Sequence, residues 1–276
     1  MNPFVLRRLE ALSLRSSALD VAGAVAATDG HVLDPGDVAQ RLDELATDLR
    51  TRLTDRVGCQ AQATALIEAL RHSAGLLGTR DEFHHPESSY LDLVLTRKRG
   101  IPISLALAYI EVGRRAGIRV DGVNFPGHFL VVVRDEGDDR AGVLIDPFVG
   151  ELLTRDDCAV RLRTLFGAEA RLQPEHLAVA SAPDIAIRMF GNLKAIRLNE
   201  QQWDQALTLC NAILTLAPRR IGELAERAGI LERMDCFDAA IQDLTRLREF
   251  ASDDEVRADI DKKMEELRAR SKPIVH

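Results

Sequence analysis

Two side chains that can take part in acid–base chemistry stand at the ends of apolar segments in the middle of the chain. His128 lies between "PG" and the apolar run "FLVVV", and Asp146 follows the apolar run "VLI". A histidine beside a carboxylate can accept and donate a proton while the carboxylate orients the ring. Such a pair serves covalent catalysis only if a nucleophile lies beside it, so the question is whether the chain offers a suitable Cys or Ser.

The cysteines and one serine are the candidates for that nucleophile. The four cysteines are Cys59, Cys158, Cys210 and Cys236, and none lies in the apolar segment that precedes the His and Asp segments. Cys59 belongs to an N-terminal helix and would reach the pair only by a coincidence of folding. Ser104 does lie in the apolar segment, but a serine near a helix start usually bonds to a free backbone N–H. Catalysis by Ser104 therefore competes with an ordinary capping role.

The histidines also have purely structural interpretations. A histidine that opens an apolar strand is often a satisfied core residue, so His128 and Asp146 can simply join two strands. His84 and His85 lie in a polar, proline-containing segment and are expected on a surface loop. No spacing of ligands supports a metal site. We expect neither a metal nor another cofactor.

A buried helix and three strands are expected to position these residues. "IPISLALAYIEVGRRAG" places Pro102 in the first turn of a helix, and residues 103–112 are apolar on nearly every side. Gly117 ends this helix. The runs "IRVDGVNF", "HFLVVVRD" and "AGVLIDPF" have the composition and length of strands, with "DEGDDR" as the loop between the last two. The strand "HFLVVV" is apolar on both faces and should be covered on both. A buried helix before an antiparallel sheet predicts an α+β fold.

Residues 1 to about 78 are predicted to be helical. One helix carries an apolar stripe at three- and four-residue spacing: Val38, Leu42, Leu45, Leu49 and Leu53. Asp34 or Asp37 is expected to cap its start, with Pro35 in the first turn.

Glycine and proline residues predict where the next helices end. A second amphipathic helix, "AQATALIEALRHSAGLLG", is expected to stop at Gly78, and the polar segment "TRDEFHHPESSY" after it is a predicted loop. A short helix should end at Gly100. Beyond the strands, "LLTRDDCAVRLRTLFG" predicts one more helix.

From about residue 184 onward the sequence contains a repeat. "QQWDQALTLCNAILTLAP" and "MDCFDAAIQDLTRLREFAS" align at a shift of 34 residues, so that Trp203 falls on Phe237 and Ala206 on Ala240. A 34-residue period with an aromatic-x-x-Ala core is typical of the tetratricopeptide repeat, a helical hairpin. About two units fit, followed by a charged helix. A generic helical bundle is the alternative, because solenoid units need neighbours to bury their faces.

The segment from about 88 to 151 resembles the transglutaminase-like superfamily. More narrowly, it resembles the bacterial SirB-type proteins, in which such a domain precedes tetratricopeptide repeats. The residues that carry the resemblance are "RGIPISLALAY", "GVNFPGHF" and "IDPFVGE". The resemblance implies a papain-like core, in which a helix with an N-terminal cysteine packs on an antiparallel sheet that carries His and Asp. It implies a transglutaminase-like domain with N-terminal helices over 1–180, with its core over about 88–151, and a repeat-like helical tail over 184–276.

The resemblance places His128 and Asp146 at the family's His and Asp positions, but the cysteine does not carry over. An ungapped match of the helix puts Pro102 where cysteine-bearing relatives have the thiol, and proline cannot be a nucleophile. Ser104 follows two residues later and points about 200° away around the helix, so it does not replace the thiol geometrically.

Three functional hypotheses remain open. The first is a non-catalytic interaction or regulatory module that acts through its cleft and its repeat tail. The second is a hydrolase or acyl transferase that acts on peptide-like amides with Ser104, His128 and Asp146. The third is a cleft that binds a peptide or small ligand without chemistry. Asn124 and Arg99 can line the cleft in each case, and the sequence assigns them no role.

Composition limits the partners. The chain has 276 residues, of which 46% are hydrophobic, and a net charge of −7. This charge argues against a nucleic-acid binder, because no basic surplus neutralises phosphates. The sequence shows neither a signal peptide nor a membrane span, and its scattered cysteines favour a reducing compartment. We therefore expect a cytoplasmic protein that binds a protein or peptide partner through its repeat tail, with no nucleic-acid or membrane partner.

Overall fold

The computed structural model describes residues 2–137 and 142–271. Its contacts define two compact units, one of Ala11–Met189 and one of Met1–Glu10 with Phe190–His276. The expected hairpin loop "DEGDDR" falls partly outside the described residues. The domain boundary near 180–184 stays a prediction.

The N-terminal helices are α1 (Pro3–Ala11), α2 (Ala18–Thr28), α3 (Pro35–Leu53) and α4 (Cys59–Ile67). The cap of α3 is confirmed: the Asp34 carboxylate accepts the backbone N–H groups of Gly36 at 2.8 Å and Asp37 at 3.3 Å. The apolar stripe is confirmed in part. Ala46 rather than Leu45 belongs to the set of fully buried residues in α3, which comprises Val38, Leu42, Ala46 and Leu49.

The prediction that the second helix runs to Gly78 was wrong. Helix α4 passes into a π-helical turn, Glu68–Ser73, and ends there. Gly75 then adopts a positive φ of 76°, a conformation that turns the chain out of the helix. Strand β1 (Leu77–Gly78) pairs in parallel with β2 (Arg99–Gly100). Two 3₁₀ turns, Arg80–His84 and Pro86–Ser89, shape the predicted loop.

The short helix and the central helix follow. Helix α5 (Leu91–Arg97) ends at Lys98, which takes a left-handed φ of 58°, so Gly100 is not the residue that ends it. Helix α6 (Pro102–Arg115) is buried from Pro102 to Gly113, which confirms the predicted central helix. Gly117, with a φ of 87°, turns the chain into the sheet.

The sheet is antiparallel in the order β3 (Arg119–Val123), β4 (Leu130–Arg134), β5 (Val143–Asp146) and β6 (Glu151–Leu153). Helices α4 and α6 pack on it. An apolar cluster joins Leu130 and Val132 of β4 to Cys158 and Leu162 of helix α7 (Arg155–Phe166). Strand β4 is therefore covered on both faces, as its composition predicted. Strand β6 was not predicted, because Leu152 and Leu153 were assigned to the helix that in fact starts after the Thr154 cap.

The tail consists of helices α8 (Ala182–Asn199), α9 (Trp203–Leu216), α10 (Ile221–Arg233), α11 (Phe237–Phe250) and α12 (Asp254–Ser271). Helices α9 and α11 have 14 residues each and open at the two aromatic positions that the repeat aligned. Ala206 and Ala240 are fully buried at the equivalent positions of the two units. The pattern of helical hairpins in the tail is thus confirmed. Within the described ranges, no helix combines the length and apolar character that crossing a membrane requires.

Candidate functional site

His128 and Asp146 meet at one end of the sheet. His128 precedes β4 and Asp146 ends β5, and because these neighbouring strands are antiparallel, both residues lie at the same edge. The His128 Nε2 atom is 2.8 Å from Asp146 Oδ1. The same oxygen accepts the Phe148 N–H at 2.9 Å, which holds the carboxylate within a turn. The predicted pairing of these two side chains is present in the structure.

Asp146 is ionised, and both of its carboxylate oxygens accept hydrogen bonds. Its side chain is 1% exposed, and Arg161 of α7 donates to Oδ2. Burial raises the pKa of Asp146, but the hydrogen bonds and charges of His128 and Arg161 outweigh burial, so the pKa is lowered overall. Since both carboxylate oxygens act as acceptors, we assign the His128 proton to Nε2. In the neutral ring Nδ1 then has a free lone pair, and the side chain is 19% exposed.

The turn that carries His128 is held by neighbours from two helices. A Cβ atom on Gly127 would lie 2.7 Å from Cδ1 of Leu165 in α7, so the leucine packs directly on this glycine. Arg188 of α8 donates to the side chain of Asn124 and, at 2.9 Å, to the carbonyl of Phe125. Asn124 thus anchors the turn through its amide oxygen.

The structure does not bring Ser104 to His128. The Ser104 side chain is fully buried, and its hydroxyl donates to the Ser88 carbonyl at 2.6 Å. The hydroxyl also accepts the Ile101 N–H at 3.1 Å, which caps the start of α6. The capping role that competed with catalysis is therefore the one observed.

Phe148 connects the His–Asp pair to the two short strands that precede α6 in sequence. The Phe148 ring meets the His128 ring edge-on, with centroids 6.0 Å apart. A Cβ atom on Gly78 would lie 1.9 Å from the Phe148 ring, so this ring lies against β1, whose Gly78 is paired with Gly100 of β2. Pro102 begins α6 two residues beyond Gly100.

An aromatic hydroxyl, that of Tyr109, lies on the same face of α6 as Pro102. Tyr109 follows Pro102 by two helical turns and shares its face, whereas Ser104 lies on a different face. Tyr109 is fully buried. Burial raises the pKa of its hydroxyl, the nearby Arg71 guanidinium opposes this shift, and the Asp146 carboxylate adds to it. Tyr109 thus lies within electrostatic range of Asp146.

The cysteines do not supply a nucleophile at this site. Burial and a hydrogen bond to Asp135 raise the pKa of the Cys59 thiol. Asp135 follows β4 whereas His128 precedes it, so Cys59 lies towards the opposite end of the strand. Cys158 and Cys210 are buried, and Cys236 is exposed in the tail.

The remaining candidates stand apart from the pair. His84 and His85 are exposed near the 3₁₀ turns, as expected for a surface loop, and Arg99 is exposed on β2. Within residues 2–137 and 142–271, no group of three or more His, Cys, Asp or Glu side chains is arranged to hold a metal ion.

Sequence reasoning missed three residues that shape the site. Arg161 carried no signal, because its partner lies on another element. Arg188 carried no signal for the same reason, because its partners, Asn124 and Phe125, are distant in sequence. Tyr109 did carry a signal, since its seven-residue spacing from Pro102 places both on one helix face.

Comparison with known proteins agrees with this architecture. Residues 36–191 match the family model described as transglutaminase-like superfamily, and residues 193–265 match a tetratricopeptide repeat model. A UPF0162 protein of Pseudomonas aeruginosa is 33% identical over 239 residues, covering 86% of each chain. A UPF0162 protein of Xylella fastidiosa is 38% identical over 187 residues, covering 66% of this chain and 65% of its own.

A third relative carries the name that the resemblance suggested. The protein SirB1 of Salmonella typhimurium is 24% identical over 239 residues, covering 87% of this chain and 86% of its own. A solved structure of menin covers 95% of this chain and 74% of its own with a TM-score of 0.38 at 12% identity, too low a likeness to carry an argument. The chain belongs to the transglutaminase-like superfamily and, within it, to the SirB-type UPF0162 proteins, whose transglutaminase-like domain is followed by tetratricopeptide repeats.

Proposed function

We propose that this protein is a non-catalytic transglutaminase-like protein that acts as an interaction or regulatory module through its cleft and its repeat tail. The observation that carries the proposal is the state of Ser104. This serine is the one aliphatic hydroxyl on the central helix, and it is buried and donates to the Ser88 carbonyl. The resemblance places Pro102 at the position where cysteine-bearing relatives have the thiol.

The His–Asp pair fits a structural and ligand-binding role. A general base acts on a proton within hydrogen-bond reach, and no described nucleophile lies at that distance from His128. The pair joins two strands and one helix, because Asp146 accepts from His128, from the Phe148 backbone and from Arg161. The exposed edge of His128 remains open to a bound group.

A fluorophosphonate probe tests the absence of serine catalysis. We expect no labelling of the native protein, because the Ser104 hydroxyl is fully buried and donates to a carbonyl. Ser104→Ala is the matched control, and it should give the same background signal. Labelling that disappears in Ser104→Ala would establish the hydrolase or acyl transferase alternative.

An apolar groove in the tail supports the proposal that the tail binds a protein partner. The groove has a volume of about 350 Å³, and its lining is mostly apolar: Ile221, Leu244, Leu247, Phe250, Ala251, Val256, Asp259, Ile260 and Lys263. Phe250 is 41% exposed and Val256 49% exposed. Exposed apolar surface of this kind marks sites of protein contact. We therefore assign to this groove a cytoplasmic protein or peptide partner that offers an apolar side chain, rather than nucleic acid or a membrane.

Replacing one groove residue should weaken the capture of the partner. We expect Phe250→Asp to weaken co-purification of proteins with the full chain by at least about tenfold, since a charge would be buried in the contact. Val57→Asp is the matched control, because Val57 is 93% exposed in the loop before α4. Quantitative mass spectrometry of the captured proteins measures the ratio. Equal capture by both variants would argue against binding in this groove.

A further inference from the structure

Two polar groups near Asp146 have no hydrogen-bond acceptor among the described residues. The Tyr109 hydroxyl is fully buried, yet it has no hydrogen-bond partner among the described residues. Arg71 is half-buried, and its guanidinium forms no hydrogen bond or ion pair with the described part of the chain. Buried polar groups in folded proteins are nearly always satisfied, so an orphaned donor calls for an explanation.

The local backbone directs Arg71 towards the Asp146 turn. Arg71 lies in the π-helical turn Glu68–Ser73, and such turns re-aim side chains and recur at functional sites. A Cβ atom on Gly150 would lie 2.6 Å from Cγ of Arg71 and 3.0 Å from its Cδ. The arginine stem therefore passes through space that only a glycine leaves open. Gly150 closes the turn that starts at Asp146, through a 2.8 Å bond from its N–H to the Asp146 carbonyl.

Asp146 does not serve as the missing acceptor. Oδ1 accepts from His128 and from the Phe148 N–H, and Oδ2 accepts from Arg161. The ion pair with Arg161 thus already compensates the negative charge of Asp146. Arg71 therefore has no anionic partner in the described part of the chain, and a half-buried cation of this kind favours an anion.

We propose that Arg71 and Tyr109 form a subsite for a carboxylate group next to His128. A carboxylate is planar, accepts two parallel bonds from a guanidinium and can accept a third from a phenol. The carboxylate belongs either to a free carboxylic acid or to the C-terminus of a peptide, two sources that share this chemistry. The inference rests on the proposed non-catalytic role, because it gives the cleft a bound group in place of a reacting one.

The chain permits a direct measurement, because it has only two tyrosines. Tyrosine labelled with ¹³C at Cζ gives one signal for Tyr109 and one for Tyr90, and Tyr109→Phe assigns them. The Tyr90 hydroxyl donates to Asp29 and serves as an internal reference. The full chain is titrated with acetate, with trialanine and with trialanine amide, each against sodium chloride at equal ionic strength.

We expect acetate or trialanine to shift the Tyr109 signal saturably, while Tyr90 stays unchanged and trialanine amide has no effect. Trialanine binding at least about tenfold tighter than acetate identifies a peptide terminus as the source, and equal binding identifies a free acid. Arg71→Gln should weaken binding by at least about tenfold. Arg52→Gln, which removes the same charge from the Asp48 pair on α3, should not.

Three results would overturn the subsite. They are the absence of a saturable shift with every carboxylate, an equal shift with chloride, and an undiminished shift in Arg71→Gln. None of them bears on the Ser104 labelling experiment, so the subsite and the non-catalytic role fail separately.

Discussion

Pro102→Cys is expected to create a reactive thiol next to His128. Residue 102 is the first residue of α6, where the helix dipole and free backbone N–H groups favour a thiolate. A nearby imidazole favours the thiolate further. We expect the pKa of the new thiol to fall at least about one unit below the ordinary value of about 8.5. The native protein lacks this group, so the effect is a gain from a background of zero.

The titration should be carried out in a variant that lacks the exposed native thiol. Cys236 is exposed, so Cys236→Ser provides the parent protein. The ultraviolet absorbance of the thiolate is followed against pH, and the difference between variant and parent isolates the new group. This readout suits a buried position such as 102, because it does not depend on access by a reagent.

Two companion variants determine the meaning of the result. Ser104→Cys places a thiol on the face of α6 that is buried against Ser88, and burial should raise its pKa. Adding His128→Ala to Pro102→Cys should return the thiol pKa towards its ordinary value. The thiol at 102 could instead have the same pKa as the thiol at 104, or a pKa that His128→Ala leaves unchanged. Either result would show that α6 does not present residue 102 to the pair.

Asp146→Asn is expected to cause the largest loss of stability at the site. The carboxylate is 1% exposed and accepts from His128, Phe148 and Arg161. Removing one partner of a buried ion pair costs about 3–5 kcal/mol. The Arg161 side chain is 31% exposed and can turn towards water, so we expect about 3 kcal/mol at neutral pH. Chemical denaturation of both proteins measures the difference in the free energy of unfolding.

The cost of Asp146→Asn should depend on pH in a defined direction. The pKa of Asp146 is lower in the folded protein than the usual 3.8. Its contribution to stability is therefore complete above pH 3.8 and is lost as the pH falls through the folded pKa. The stability gap between wild type and Asp146→Asn should shrink as the pH falls below this value. A gap that persists undiminished in acid would show that the charge of Asp146 is not its source.

His128→Ala provides the scale for this comparison. His128 is 19% exposed and forms one hydrogen bond to Asp146, whereas Asp146 keeps Phe148 and Arg161 after the change. We expect a loss of about 1–3 kcal/mol, smaller than that of Asp146→Asn. An unchanged stability would argue against a structural role of the pair.

Elements with a strong local pattern could be predicted from the sequence. The central helix was visible because its apolar residues extend over a continuous segment, and the three longer strands because they are β-branched. The short strands β1, β2 and β6 were not visible. Two or three residues have no measurable period, and their assignment depends on a partner elsewhere in the chain.

The candidate site could likewise be predicted only in part. The positions of His128 and Asp146 came from short motifs and from a family resemblance, and the structure pairs these residues. The bonding of Ser104 could not be read from the sequence, because its acceptor, Ser88, lies on a different element.

The sequence by itself determined the α+β class, the repeat tail and the proline at the start of the central helix. These features depend on residue type and on spacing within one segment. Only the tertiary structure decided that Arg161 donates to Asp146 and that the Ser104 hydroxyl donates to Ser88 rather than facing His128. It also decided that Tyr109 has no acceptor within the described part of the chain. The physical reason is that side-chain partners distant in sequence meet only after the helices and strands have packed.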